Sequence, residues 1–251
     1  MRLQQALAAI GLAAAAATAL PASAQSTASA SLGNLSIQLI DLAPGDGINP
    51  SLTFTGNTSA FASATIYLDP AFTNVAVDDT LFGIDNIAVH ASNASGDADA
   101  FASAFSVSAG TIMFSNSGFS LAQGTSDFIL SPNTRAIFTV TANVSALPDF
   151  GEGGLGSAFA SALLYGQVAN DSSDGVTSFS SNLSSGLFSE QRSLSAVIDS
   201  REVEAIGWLG LQVSAESLSL ASPVPEPATA GMLAAGLGVL SAAAKRRKRR
   251  A

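Results

Sequence analysis

The sequence predicts an all-β protein, an antiparallel β-sandwich of jelly-roll-like form, and three observations carry the prediction. Apolar and polar residues alternate with a period of two in several runs, the pattern of half-buried strands. Clusters rich in Gly, Pro, Asn, Asp and Ser separate those runs as turns. No amphipathic helical stretch occurs between residues 25 and 221. Many strands at such spacing favour a sandwich over a barrel. An N-terminal signal helix and a C-terminal transmembrane helix are expected to flank this body.

The N-terminus opens with Met1-Arg2, a positive start, followed by an alanine-rich apolar run from Leu7 to Leu20. Pro21 breaks that run, and Ala22-Ser23-Ala24 has the small-x-small form of a signal-peptidase site. Residues 1–24 are therefore expected to be a removed signal peptide, with cleavage governed by Ala22 and Ala24.

Residues 25–221 form the predicted β body, long enough for one large all-β domain or two small ones. In Ser36–Leu42, Ile37 and Leu39 share one face. Ala136, Phe138, Val140, Ala142 and Val144 alternate with Arg135, Ile137, Thr139, Thr141 and Asn143. Val203, Ala205, Gly207, Leu209, Leu211, Val213 and Ala215 repeat the pattern near the end of the body. Turns are expected at Pro44–Gly47, Gly56-Asn57, Ser95–Asp97, Ser131–Asn133, Asp149–Gly154 and Ser173–Gly175. Asp46-Gly47 should make the first turn, with Pro50 starting the next strand.

One phrase recurs: Ala60–Ala64, Ala100–Ala104 and Ala158–Ala162 all read Ala-Phe-Ala-Ser-Ala. The spacings of forty and fifty-eight residues are too unequal for a solenoid or propeller. In a strand the three alanines share one face, and Phe and Ser share the other. The expectation is equivalent strands whose alanines lie where two sheets come nearest, with a self-association surface as the alternative.

The body is strongly acidic: residues 25–222 hold three arginines, no lysine and eighteen carboxylates, a net charge of −15. The whole chain reaches −9 through its basic C-terminal end and Arg2. A body of this sign is repelled by nucleic acid and anionic lipid. Cysteine is absent, so no disulfide staples the fold.

Catalytic chemistry finds few candidates. His90 is the only histidine, and no Gly-x-Ser-x-Gly elbow exists to present a nucleophile. A single histidine without cysteine excludes the usual zinc sites, and no phosphate-binding glycine loop is present. The close carboxylate pairs are Asp78-Asp79, Asp97 with Asp99, and Glu202 with Glu204. Glycoside cleavage would need such a pair beside aromatic platforms, yet the chain has one tryptophan, Trp208, and two tyrosines, Tyr67 and Tyr165. Calcium suits carboxylates better, and Asp171 and Asp174 place oxygens around one turn, but the full loop pattern with its distal Glu is missing. Asp78, Asp79 and Asp85 form a looser cluster. No catalytic residue and no cofactor are assigned from the sequence.

The final segment, 222–251, has three parts. Pro223, Pro225 and Pro227 hold residues 222–227 extended and leave Glu226 accessible. Residues 228–244 carry no charge over seventeen positions. As a helix they would span roughly 25 Å, just enough to cross a bilayer. Gly231, Gly236 and Gly238 supply small faces for contact with another membrane helix. Lys245, Arg246, Arg247, Lys248, Arg249 and Arg250 then form a stop within residues 245–251 that holds the C-terminus in the cytoplasm.

Pro225-Glu226-Pro227, the apolar span and the terminal basic cluster together resemble the PEP-CTERM sorting signal of Gram-negative bacteria. The resemblance covers about thirty residues. It implies export through the secretion translocon and a transient single-pass stage in the inner membrane. It also implies cleavage near Pro-Glu-Pro by an exosortase, an integral-membrane cysteine transpeptidase. Delivery to the cell surface or extracellular matrix follows, in the company of exopolysaccharide and biofilm. Leu39–Phe54 is similar to a phrase of secreted PEP-CTERM proteins of proteobacteria and implies no activity. The expected function is a non-enzymatic surface or matrix protein with no nucleic-acid partner. A carbohydrate-binding module is the alternative, and an extracellular hydrolase comes third.

Overall fold

The structure is a computed structural model, and it describes residues 25–69, 71–148, 155–169 and 176–220. These residues form twelve strands: β1 (Ser26–Asp41), β2 (Leu52–Tyr67), β3 (Val75–Gly83), β4 (Ile87–Asn93), β5 (Gly96–Ala102), β6 (Val107–Met113), β7 (Asn116–Leu130), β8 (Thr134–Leu147), β9 (Leu155–Ala169), β10 (Val176–Ser185), β11 (Ser189–Asp199) and β12 (Ala205–Leu220). Among the described residues there is no helix, and hence none long and apolar enough to cross a membrane. The expected signal helix and the expected apolar span at 228–244 lie outside the described residues.

The strands divide into two antiparallel sheets of six. Sheet A runs β11-β8-β1-β6-β5-β4, and sheet B runs β10-β9-β12-β7-β2-β3. Their inner faces pack together, which is the two-sheet arrangement expected. Twelve strands exceed the eight of a jelly roll, so what the structure shares with that expectation is the pair of packed antiparallel sheets.

The alternation behaves as its period requires. Ala136, Phe138, Val140, Ala142 and Val144 on β8 are buried, while Ile137, Thr139, Thr141 and Asn143 face outward. Phe138 sits between Phe128 of β7 at 5.5 Å and Phe179 of β10 at 6.0 Å, which fills one part of the interior with stacked and tilted rings. Elsewhere alanine fills the space. Ala60, Ala62 and Ala64 of β2, Ala100 and Ala102 of β5, and Ala158, Ala160 and Ala162 of β9 all point inward. The repeated phrase therefore marks strands of both sheets, with alanine where the sheets approach. Gly124 shows how near that approach is: a Cβ there would lie 1.8 Å from the Ser103 carbonyl oxygen of the opposite sheet's β5–β6 turn. Close by, the buried Ser120 hydroxyl donates across the interior to Gly110 O at 3.1 Å.

Four local expectations are corrected. Gly56-Asn57 makes no strand-ending turn; it is an irregularity inside β2, where the pairing with β7 shifts register between Phe54 and Thr58. Gly56 takes φ 82° there, so a bulge uses the glycine that the sequence offers a turn. Val203 is exposed and precedes β12, which begins at Ala205. β2 begins at Leu52, two residues after Pro50. Within the expected Pro44–Gly47 stretch the hydrogen-bonded turn is centred on Pro44-Gly45, with Asp46 N donating to Ala43 O at 3.0 Å. Asp46-Gly47 bends the chain after it, with Gly47 at φ 75°, in the connection that carries the chain from β1 of sheet A to β2 of sheet B. Asp46 Oδ1 accepts from Ile48 N, and its Oδ2 accepts from Asn133 Nδ2, both at 2.8 Å. Ser131–Asn133 also turns the chain and links β7 of sheet B to β8 of sheet A. Buried Ser200 braces that corner, donating to Ser131 O and Thr134 O while its Oγ accepts from Thr134 N.

Candidate functional site

Sheet B presents the aromatic residues that the sequence scatters. On β12 the outward positions include Ile206, Trp208, Gly210, Gln212, Ser214 and Glu216. Gly210 pairs with Tyr165 of β9 on one side and Thr125 of β7 on the other. The absent side chain at Gly210 makes room for the Tyr165 ring. A Cβ at Gly210 would lie 2.7 Å from two atoms of that ring and 3.1 Å from the Trp208 ring. Trp208 meets Tyr165 edge-on, with centroids 5.3 Å apart and planes at 83°. The Gln123 amide of β7 donates to the Tyr165 hydroxyl and ties the ring down from the far side. Burial raises the Tyr165 phenol above its ordinary range, against a smaller opposing effect of the Gln123 bond, so it stays neutral at physiological pH.

The row continues toward the edge. Gln123 pairs with Phe61 of β2, and Phe61 pairs with Phe82 of β3. The two rings are 4.6 Å apart, and Phe82 is 79% exposed. Ser59, Phe61, Phe82, Gly83 and Gln123 line a shallow recess of about 380 Å³. Gln212, Gln123, Phe61 and Phe82 thus cross four strands, a span of roughly 14 Å at normal strand spacing. The strands of sheet B contain no lysine or arginine. Their carboxylates include Asp127, which accepts from Asn57 Nδ2 at 3.3 Å, and Glu216, raised by burial between the paired Phe119 and Phe159.

The outer face of sheet A is different in kind. Ser189, Ser145, Ser29, Gly110, Asp99 and His90 follow one another across its six strands. The first five of these border a broad concavity of about 670 Å³ that Asn143 and Ile112 also line. Ser145 and Ser189 share a 2.7 Å hydroxyl contact. Burial raises Asp99, with His90 lowering it and Asp97 raising it further.

The sequence-derived candidates separate clearly. His90 lies exposed on β4, with Asp97 Oδ1 3.8 Å from its Nε2 and Asp99 opposite on β5, while its backbone N donates to Asp79 of β3. Asp97 and Asp99 share a face of β5, as their spacing requires. Asp78 and Asp79 point to different faces of β3: Asp78 accepts from Thr65 Oγ1 at 2.8 Å, and Asp79 from His90 N at 3.2 Å. Glu202 and Glu204 lie in the β11–β12 connection, not in a strand. Among the described residues no three His, Asp or Glu side chains gather closely enough to hold a metal ion. The calcium candidates Asp171 and Asp174 lie outside the described residues. So do the cleavage residues Ala22 and Ala24, the sorting residues Pro225, Glu226 and Pro227, and the basic residues 245–250. Sequence reasoning missed the meeting of Trp208, Tyr165 and Gln123, which lie on three strands far apart in the chain. Gly210, alone at an outward position beside Trp208, was the available signal.

The described residues thus define an all-β protein of two packed antiparallel sheets with one aromatic–amide outer face. Residues 223–250 match the family model of the PEP-CTERM protein-sorting motif, so the chain carries that sorting tail. The motif supports an exported protein that an exosortase processes. No curated protein and no solved structure matches the chain.

Proposed function

We propose that this chain is a non-enzymatic surface or matrix protein associated with exopolysaccharide and biofilm. The secretion translocon exports it, its tail holds it briefly in the inner membrane, and an exosortase then releases the body. The observation that carries this reading is the sorting motif at residues 223–250, next to a body with a net charge of −15.

The test is the intact mass of the protein recovered from the culture matrix. A chain starting near Gln25 and lacking Lys245–Arg250 is the expected species. Extracellular protein still carrying Arg250, or the same distribution in cells without exosortase, would refute the sorting account.

A second reading, a carbohydrate-binding module, is favoured by one observation. Tyr165, Trp208 and Gln123 are fitted together on an open sheet face.

A further inference from the structure

We infer that the outer face of sheet B binds a neutral glycan chain, laid across β9, β12, β7 and β2 against Trp208, Tyr165 and Phe61 with Gln123 and Gln212 between them. This rests on the carbohydrate-binding reading above and assigns it a site and a ligand class.

Three features carry the inference. The face combines flat apolar rings with side-chain amides. A pyranose has the matching duality, with C–H groups on its ring faces and hydroxyls around its rim. Trp and Tyr suit such surfaces because a large rigid body carries a polar handle at low entropic cost. An amide offers two donors and an acceptor, so Gln123 can serve both the Tyr165 hydroxyl and a ligand hydroxyl.

The rings are also seated before any ligand arrives. Gly210 leaves the space that Tyr165 occupies, Gln123 fixes the hydroxyl, and Trp208 packs edge-on at 5.3 Å. A surface already held in its binding form loses less conformational entropy on binding.

Charge selects the class. No strand of sheet B carries a cation, while Asp78, Asp127 and Glu216 all lie on its outer face. The three arginines of the body, Arg135, Arg192 and Arg201, lie on β8, on β11 and in the connection after it. Uronate or sulfate groups would meet like charge there with nothing to neutralise it, so a neutral chain is the ligand that fits.

Trp208 is the only tryptophan, so its fluorescence reports on this face alone. The full chain, held in a detergent without a sugar head group, is titrated with soluble β-glucan and α-glucan oligomers, galactomannan and the polyanion alginate. Saturable change in Trp208 emission with at least one neutral glycan, and weaker or no change with alginate, is expected. Tyr165→Ala should weaken that binding about tenfold or more, as loss of a central interface aromatic does. Gly210→Ala should weaken it too, by pushing Tyr165 off its seat. Thr139→Ala on the outer face of sheet A should leave it unchanged, and circular dichroism of each variant verifies folding.

If no neutral glycan moves the emission, or alginate binds most tightly, the inference falls. Retention on cell-derived exopolysaccharide that survives Trp208→Ala and Tyr165→Ala would overturn the site yet leave matrix association standing. Loss of retention in Thr139→Ala with sheet B variants unaffected would move binding to the other sheet.

Discussion

Replacing Gly124 with alanine tests how closely the two sheets approach. Gly124 lies on β7 with its backbone against the β5–β6 turn of the opposite sheet. A built Cβ falls 1.8 Å from Ser103 O, 2.8 Å from its carbonyl carbon and 3.3 Å from Ala104 Cα. Reaching the 3.4 Å of ordinary contact needs about 1.6 Å more separation from the oxygen, and every atom in the way is backbone. The turn resists moving because Ser103 N donates to Ser106 O at 2.9 Å while Ser106 N donates to Ser103 Oγ at 3.0 Å. Overpacking of this kind costs about 3 kcal/mol, at the upper end of its usual range. Relief of the glycine's unfolded-state entropy returns ~0.5–1 kcal/mol. A net loss of about 2 kcal/mol should lower Tm by roughly 4–8 °C for a body of this size. Gly33→Ala is the matched control, because its Cβ would lie 3.7 Å from Ser106 Oγ, an ordinary contact. Differential scanning calorimetry of both variants gives the comparison. If Gly124→Ala melts with the parent chain, the inferred contact between the sheets is wrong.

Phe138→Ala removes a fully buried ring that joins Phe128 to Phe179 and should cost about 3–5 kcal/mol, read from urea midpoints. Arg135 and Asp199 form a two-pronged ion pair at 2.7 and 2.8 Å between β8 and β11, and its bond to Arg135 lowers the Asp199 carboxyl. Both side chains are about two-fifths exposed, so Asp199→Asn should cost only ~0.5–1 kcal/mol, and less in high salt. Asp69 behaves more strongly toward acid. Desolvation pushes its carboxyl up, but hydrogen bonds from Thr73 and Asn74 together outweigh it and hold it at about 2. A depressed carboxyl contributes stability above its unfolded value near 3.8 and loses it as pH falls toward 2. Asp69→Asn should therefore flatten the acid limb of the stability curve in that window, measured by denaturant midpoint against pH. Asp99 has the opposite sign: burial raises it, so its contribution is present at low pH and fades as pH rises through its folded value. Asp99→Asn should gain stability at neutral pH, and an equal loss there would contradict the assigned shift.

Strand faces were legible because a period of two is a local property. Each of Ala136, Phe138, Val140, Ala142 and Val144 reads inward from its neighbours alone, and the structure buries all five. The alanine phrase behaved likewise on β2 and β9, while on β5 the strand ends at Ala102 and leaves Ala104 in the turn that follows. Turns were less legible. Gly56-Asn57 and Ser131–Asn133 share the same turn chemistry, yet one became a bulge within β2 and the other a corner between sheets. Local backbone preference cannot distinguish these outcomes, because partner strands decide whether the chain pairs onward or crosses over.

From its sequence alone this protein declares a β body, an acidic charge and a sorting tail, because composition, alternation and a contiguous motif are all written along the chain. Tertiary structure alone decided which strands share a sheet and which side chains meet. Trp208, Tyr165, Gln123 and Phe61 come from β12, β9, β7 and β2, and only the register of three strand pairings aligns them. Register is set by the packing of whole sheets against each other, a non-local balance that no short stretch of residues contains.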